Sequence, residues 1–147
     1  MWTFALLMFV GAGAFKTQAG DMKLQATLVW GTDDAKPPPG KNYKPVEAEI
    51  LKKLQQDLPL KWKNYFEVSR TNFIAPPKMP KQVAISGKCG LDIQNLGTSN
   101  SEVEVVLIGK GKEVVRRKQA LPKGDMLVLG GKAPNESAWL VTLKRTQ

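Results

Sequence analysis

The sequence predicts a mainly β domain of α+β type, in which antiparallel hairpins form a sandwich or partly open barrel and one amphipathic helix lies between the first two strands. Three observations carry this. Short segments with apolar residues at every second position recur along the chain, turn-forming clusters of Gly, Pro, Asn, Asp and Ser separate them, and only one stretch shows helical periodicity.

Met22 to Trp30 opens the pattern. Met22, Leu24, Ala26, Leu28 and Trp30 fall on one face, with Lys23, Gln25 and Thr27 on the other, which predicts a half-buried strand. Thr32 to Lys44 holds Asp33-Asp34, three consecutive prolines at 37–39 and Gly40, and reads as a long loop. From Pro45 the period changes: Val46, Ile50, Leu51, Leu54 and Leu58 share a helical face, Pro45 suits the first helical position, and Leu58-Pro59 ends the helix. Glu49 and Lys53 are spaced for a favourable pair one turn apart. Leu60 to Val68 returns to period two, with Leu60, Trp62, Phe66 and Val68 expected inside and Lys61, Lys63 and Tyr65 outside.

After the proline-broken segment Ala75 to Pro80, strands are predicted at Gln82 to Ser86, Leu91 to Leu96, Glu102 to Ile108, Glu113 to Leu121, Met126 to Leu129 and Ala138 to Leu143. The short turns between them, such as Gly87-Lys88-Cys89-Gly90 and Gly109-Lys110-Gly111-Lys112, imply antiparallel hairpins. One domain over residues 20–147 is expected, because the strand-helix-strand unit before the prolines is too small to hold a core alone.

Residues 2–15 are uncharged and largely apolar, end in small residues and are followed by the polar Lys16-Thr17-Gln18. The run is shorter than the roughly 20 residues a spanning helix needs, so residues 1–19 read as a cleaved signal peptide, with Thr17-x-Ala19 as the preferred cut site. Its removal takes Lys16 away and lowers the formal charge of +9 by one. The mature chain is expected to be periplasmic or secreted, with no transmembrane segment.

The chain contains no histidine. That removes the Ser-His-Asp and Cys-His nucleophile systems and the usual zinc sites, and no cofactor motif is present. Cys89 is the only cysteine and reads as a small residue in a strand or turn. Asp33 and Asp34 are adjacent carboxylates; a hydrolase using two carboxylates is the remote alternative they leave open. Asn135-Glu136-Ser137 matches the N-glycosylation pattern, and Gly130-Gly131 reads as a tight turn.

The densest basic run is Lys110, Lys112, Arg116, Arg117 and Lys118, a potential anion-binding surface. Strand alternation divides it: Arg116 and Lys118 share a face, and Arg117 lies on the other. Lysines on an exposed strand also guard a sheet edge. Lys61-Trp62-Lys63-Asn64-Tyr65-Phe66 mixes basic and aromatic residues as single-strand nucleic-acid platforms do, but the alternation explains it and no nucleic-acid partner is expected.

The order of features, from the strand Leu24 to Trp30 through the helix Val46 to Leu58 to the closing Leu127 to Gly131 and Trp139 to Val141, resembles that of small exported bacterial proteins. The resemblance implies a cell-envelope setting and transfers no functional residue. The expected role is a non-enzymatic module that binds a protein partner in the envelope or outside the cell. Salt-sensitive binding of acidic polysaccharide or lipid headgroups is the alternative.

Overall fold

The computed structural model describes residues 20–57, 62–132 and 138–147. The expected signal peptide 1–19, residues 58–61 at the expected helix end and the Asn135–Ser137 pattern lie outside the described residues. Among the described residues nine strands and one helix follow in the order β1 (Met22–Thr32), β2 (Lys44–Pro45), α1 (Ala48–Asp57), β3 (Asn64–Ala75), β4 (Pro80–Ala84), β5 (Cys89–Asn95), β6 (Glu102–Gly109), β7 (Lys112–Ala120), β8 (Met126–Lys132) and β9 (Ala138–Arg145). They form two antiparallel sheets, a five-stranded one ordered β2-β3-β1-β9-β8 and a four-stranded one ordered β4-β5-β6-β7. The mainly β class holds, and the two sheets stand as separate layers.

Alternation along β1 determines what each layer touches. Met22, Leu24, Ala26 and Leu28 join Leu127, Leu129, Val141 and Leu143 of the same sheet in a core shared with Leu91 and Ile93 of β5 and Val103, Val105 and Leu107 of β6. The opposite face places Val29 with Tyr65, Met126, Val128 and Leu140 against Ile50 and Leu54 of α1. The five-stranded sheet is therefore the middle of three layers, with the helix on one side and the smaller sheet on the other. Ion pairs pin the helix start to the sheet: Arg70 reaches Glu47 at 2.7 Å and Glu67 at 2.6 Å, and Lys144 reaches Glu49 at 2.7 Å.

Three expectations are corrected. Pro45 does not open the helix: it pairs with Phe66 in β2, and the Val46 amide donates to the Tyr65 carbonyl at 3.1 Å, so the backbone there is held by the sheet and α1 begins at Ala48. The helix therefore follows the second strand instead of the first. Glu49 reaches across to Lys144 on β9, a contact that local spacing does not predict.

The third concerns Tyr65, which lies on the face opposite Phe66 as the alternation requires but is buried at 4% exposure, because α1 covers that face with Ile50 and Leu54. Leu28 pairs with Ser69 while Val29 pairs with Glu67, so Val68 is an extra residue in β3. This bulge exchanges the faces on either side of it. Before it Phe66 pairs with Trp30 and Tyr65 with Gly31; after it Phe73 and Ala75 take the Leu24 and Met22 face. Gly31 accommodates the ring, since a Cβ there would meet Tyr65 Cε1 at 3.1 Å. Trp62 lies just before β3 and packs half-buried against the helix-side core.

The prolines near 76–80 mark the passage of the chain from one sheet to the other. Asn95, at the end of β5, secures it. Its side-chain amide donates to the Gly20 carbonyl at 2.8 Å and the Ala75 carbonyl at 3.1 Å, while its Oδ1 accepts the Gly97 amide at 3.0 Å. A residue 1% exposed thus ties the start of β1 and the end of β3 in the larger sheet to the end of β5 in the smaller. Replacing Asn95 with Ala leaves two carbonyls and one amide without that partner, and is expected to lower stability by about 2–4 kcal/mol. Urea unfolding checks this as a lower midpoint at unchanged slope.

Candidate functional site

The five basic residues singled out from the sequence lie on β7 and the turn before it, but they do not act together. Arg116 is held by Glu113 at 2.8 Å and also pairs with Glu104 across the strand. The hydrogen bonds it donates to these two carboxylates, Glu113 first, push its pKa above the ordinary value and tie its charge locally. Lys118 is the register partner of Glu104, and Arg117 is opposite Val105 on the inner face at the sheet edge. Lys110 and Lys112 remain exposed at the hairpin tip. The basic run is thus divided into a neutralised middle and a charged tip.

A shallow concavity of about 210 Å³ covers the outer face around Asp92, Gln94, Glu104, Val106 and Arg116. Its polar groups alternate in sign. Such a surface is well hydrated and offers no single-sign field to an anion.

Asp33 and Asp34 serve the backbone. The Asp33 carboxylate accepts the Lys63 amide at 3.0 Å, the Asp34 amide donates to Thr32 Oγ1 at 3.2 Å, and Asn64 donates to the Asp34 carbonyl at 2.9 Å. Both side chains are exposed, and together these bonds fasten the loop after β1 to the start of β3. Among the described residues no group of three or more Cys, Asp or Glu is placed to hold a metal ion, and no helix is long and apolar enough to cross a membrane.

Cys89 is half-buried at the start of β5 and packs against the inter-sheet core. Burial pushes its thiol above the usual range, so less thiolate is present at a given pH. The same shift makes the fold lose stability as pH rises through the thiol range, because the unfolded chain releases its proton first.

The sheet edges differ in how they are protected. β7 has Lys112, Glu113, Arg116, Arg117 and Lys118, while β4 is a five-residue strand that begins with Pro80. β3 has its bulge, Arg70, and an Ile74 carbonyl occupied by Lys81 Nζ at 2.8 Å. β8, at the far side of the larger sheet, reads Met126-Leu127-Val128-Leu129-Gly130-Gly131 before its one charged residue, the terminal Lys132, and has no proline. The Arg145 amide donates to the Asp125 carbonyl at 2.9 Å, which fixes the alternation: Leu127 and Leu129 bond to β9, and Met126, Val128 and Gly130 turn their main-chain groups outward. Asp125 Oδ1 accepts the Met126 amide at 3.1 Å. Among the described residues no strand pairs with the outward groups of Val128 and Gly130.

Sequence reasoning missed this edge because Met126 to Leu129 reads simply as a buried strand, and strand order is not encoded in local pattern. Comparison with family models, with curated proteins and with solved structures finds no match for the chain.

The neutralisation of Arg116 has a measurable consequence. Glu104→Gln with Glu113→Gln is expected to raise the salt needed for elution from a sulfonate column above that for Asp33→Asn with Asp34→Asn. Both pairs change net charge equally, but only the first releases a surface arginine. Equal elution would mean that Arg116 is not held by the two glutamates in solution.

Proposed function

We propose that the chain is an exported, non-enzymatic β module that binds a protein partner in the cell envelope or outside the cell, the partner joining as an added strand along β8. The supporting observation is the β8 edge itself. Its outward amides and carbonyls at Val128 and Gly130 lie within a run, Met126 to Gly131, that has no charge, proline or bulge before the terminal Lys132, whereas β3, β4 and β7 each have at least one such device along their length. Strand addition takes its affinity from main-chain hydrogen bonds, so it requires no motif in the receiving sequence. A receiving edge with both faces packed is also held in place before binding, as the burial of Met126 to Leu129 supplies here.

Other readings fit the residues less well. The acidic-polymer alternative draws on the run Lys110, Lys112, Arg116, Arg117 and Lys118, and within it the Arg116 guanidinium is paired with two glutamates. The carboxylate-hydrolase alternative needs Asp33 beside a second acid in a cleft. The Asp33 carboxylate is instead engaged with the Lys63 amide on an exposed loop.

The test is capture of partners from envelope extract at moderate salt, followed by amide hydrogen exchange on the complex. In the free protein the Val128 and Gly130 amides are expected to exchange faster than those of Leu127 and Leu129. In the complex they become protected. A complex in which those two amides exchange as in the free protein, or a monomeric protein that captures nothing, would contradict the proposal.

A further inference from the structure

At one end of the smaller sheet, the outer face presents a row of Ala84 on β4, Gly90 on β5 and Ile108 on β6, paired in register. Gly90 contributes no side chain. Ala84 and Ile108 therefore flank a trough whose floor is backbone.

The trough leads to the place where two turns meet. The Lys110 amide in the β6–β7 turn donates to the Lys88 carbonyl in the β4–β5 turn at 2.9 Å, which brings two lysines distant in sequence to one rim. The concavity so formed has a volume of about 550 Å³, and Ser86, Lys88 and Lys110 line it together with the apolar row. No Asp or Glu lines it among the described residues. The nearest acidic residue in register with Ile108 is Glu113, whose carboxylate is engaged by Arg116.

The turn itself places one lysine at a cost. Lys110 and Gly111 have φ of 51° and 75°, the two left-handed residues of a tight hairpin turn. Asn, Asp or Gly is the residue that relieves strain at the first of these positions, and a lysine stands there instead. Backbone strain of this kind clusters at ligand sites. Lys88 and Lys110 are both exposed, so each ammonium group is available to a ligand.

An apolar trough with a cationic end selects a ligand with the matching halves. We propose that this concavity binds a single-chain anionic amphiphile, its hydrocarbon body lying along Ala84, Gly90 and Ile108 and its negative head held between Lys88 and Lys110. The volume lies within the range of small-ligand clefts. Each half supplies what the other lacks: the body removes apolar surface from water, and the head gives the orientation. The proposal is independent of β8, which belongs to the other sheet.

The probe is decanoate below its micelle concentration, titrated into labelled protein with the backbone amides of Ala84, Gly90 and Ile108 as readout. Acetate is the head-only control. Saturable shifts at those amides with decanoate, absent with acetate at the same concentration, are expected. Lys88→Gln with Lys110→Gln should weaken binding by about tenfold, since each lysine contributes a partly solvated ion pair. Ala84→Glu, at an exposed position, should abolish it by placing a carboxylate in the trough. Vesicles of phosphatidylglycerol and of phosphatidylcholine identify the source of the ligand. Binding of free decanoate alone identifies a monomeric ligand, and lysine-dependent partition onto phosphatidylglycerol but not phosphatidylcholine identifies a lipid in a bilayer. Equal response to acetate and decanoate, unchanged affinity in the double variant, or no saturable binding of either probe would overturn the proposal.

Discussion

β1 is covered on both faces, and the rest of the fold follows from that requirement. From Ala26 to Thr32 every residue is buried, so neither face of this strand meets water. One face needs a partner for Ala26 and Leu28, which the smaller sheet supplies through Leu91, Ile93 and Leu107. The other needs a partner for Val29, which α1 supplies through Ile50 and Leu54. Thr27 and Thr142, each 1% exposed and paired in register, show that the helix-side face stays buried even where the side chains are polar. Gly130, itself exposed, leaves room for Leu140 on that face, since a Cβ there would lie 2.5 Å from Leu140 Cδ2.

Much of this is legible in the chain. Every predicted strand corresponds to an observed one, because half-buried strands alternate and turn residues punctuate them. What is hidden depends on contacts between segments far apart. Tyr65 keeps the alternation of its own sequence, on the face opposite Phe66, and is buried because α1, a contact outside that strand's local pattern, covers that face. Pro45 is a good first helical residue by composition, yet β3 draws it into a ladder. Asn95 looks like any strand-end asparagine, and its role arises from carbonyls at Gly20 and Ala75.

The site was less legible, for an electrostatic reason. A basic run in sequence is a field in space only if carboxylates stay away from it. Here Glu104 arrives from the neighbouring strand and Glu113 from the same one, and Arg116 is lost to any external anion. Lys88, which no local pattern links to the run, joins Lys110 through one main-chain hydrogen bond between turns. Charge on β7 thus protects an edge, while the charge at the turns is left open to ligands. The uncharged run Met126 to Gly131 of β8 contrasts with both, and the contrast between edges supports the proposed role in binding.

The central structural claim is that the helix is a full layer of the fold, as necessary to β1 as the smaller sheet. Leu54, fully buried at 0% exposure, reports on it most directly. Urea unfolding of Leu54→Ala should show a single transition displaced by a loss of about 2–5 kcal/mol, as for a core leucine in any layer. An unchanged midpoint, or a separate early transition confined to helix signal, would contradict the three-layer account.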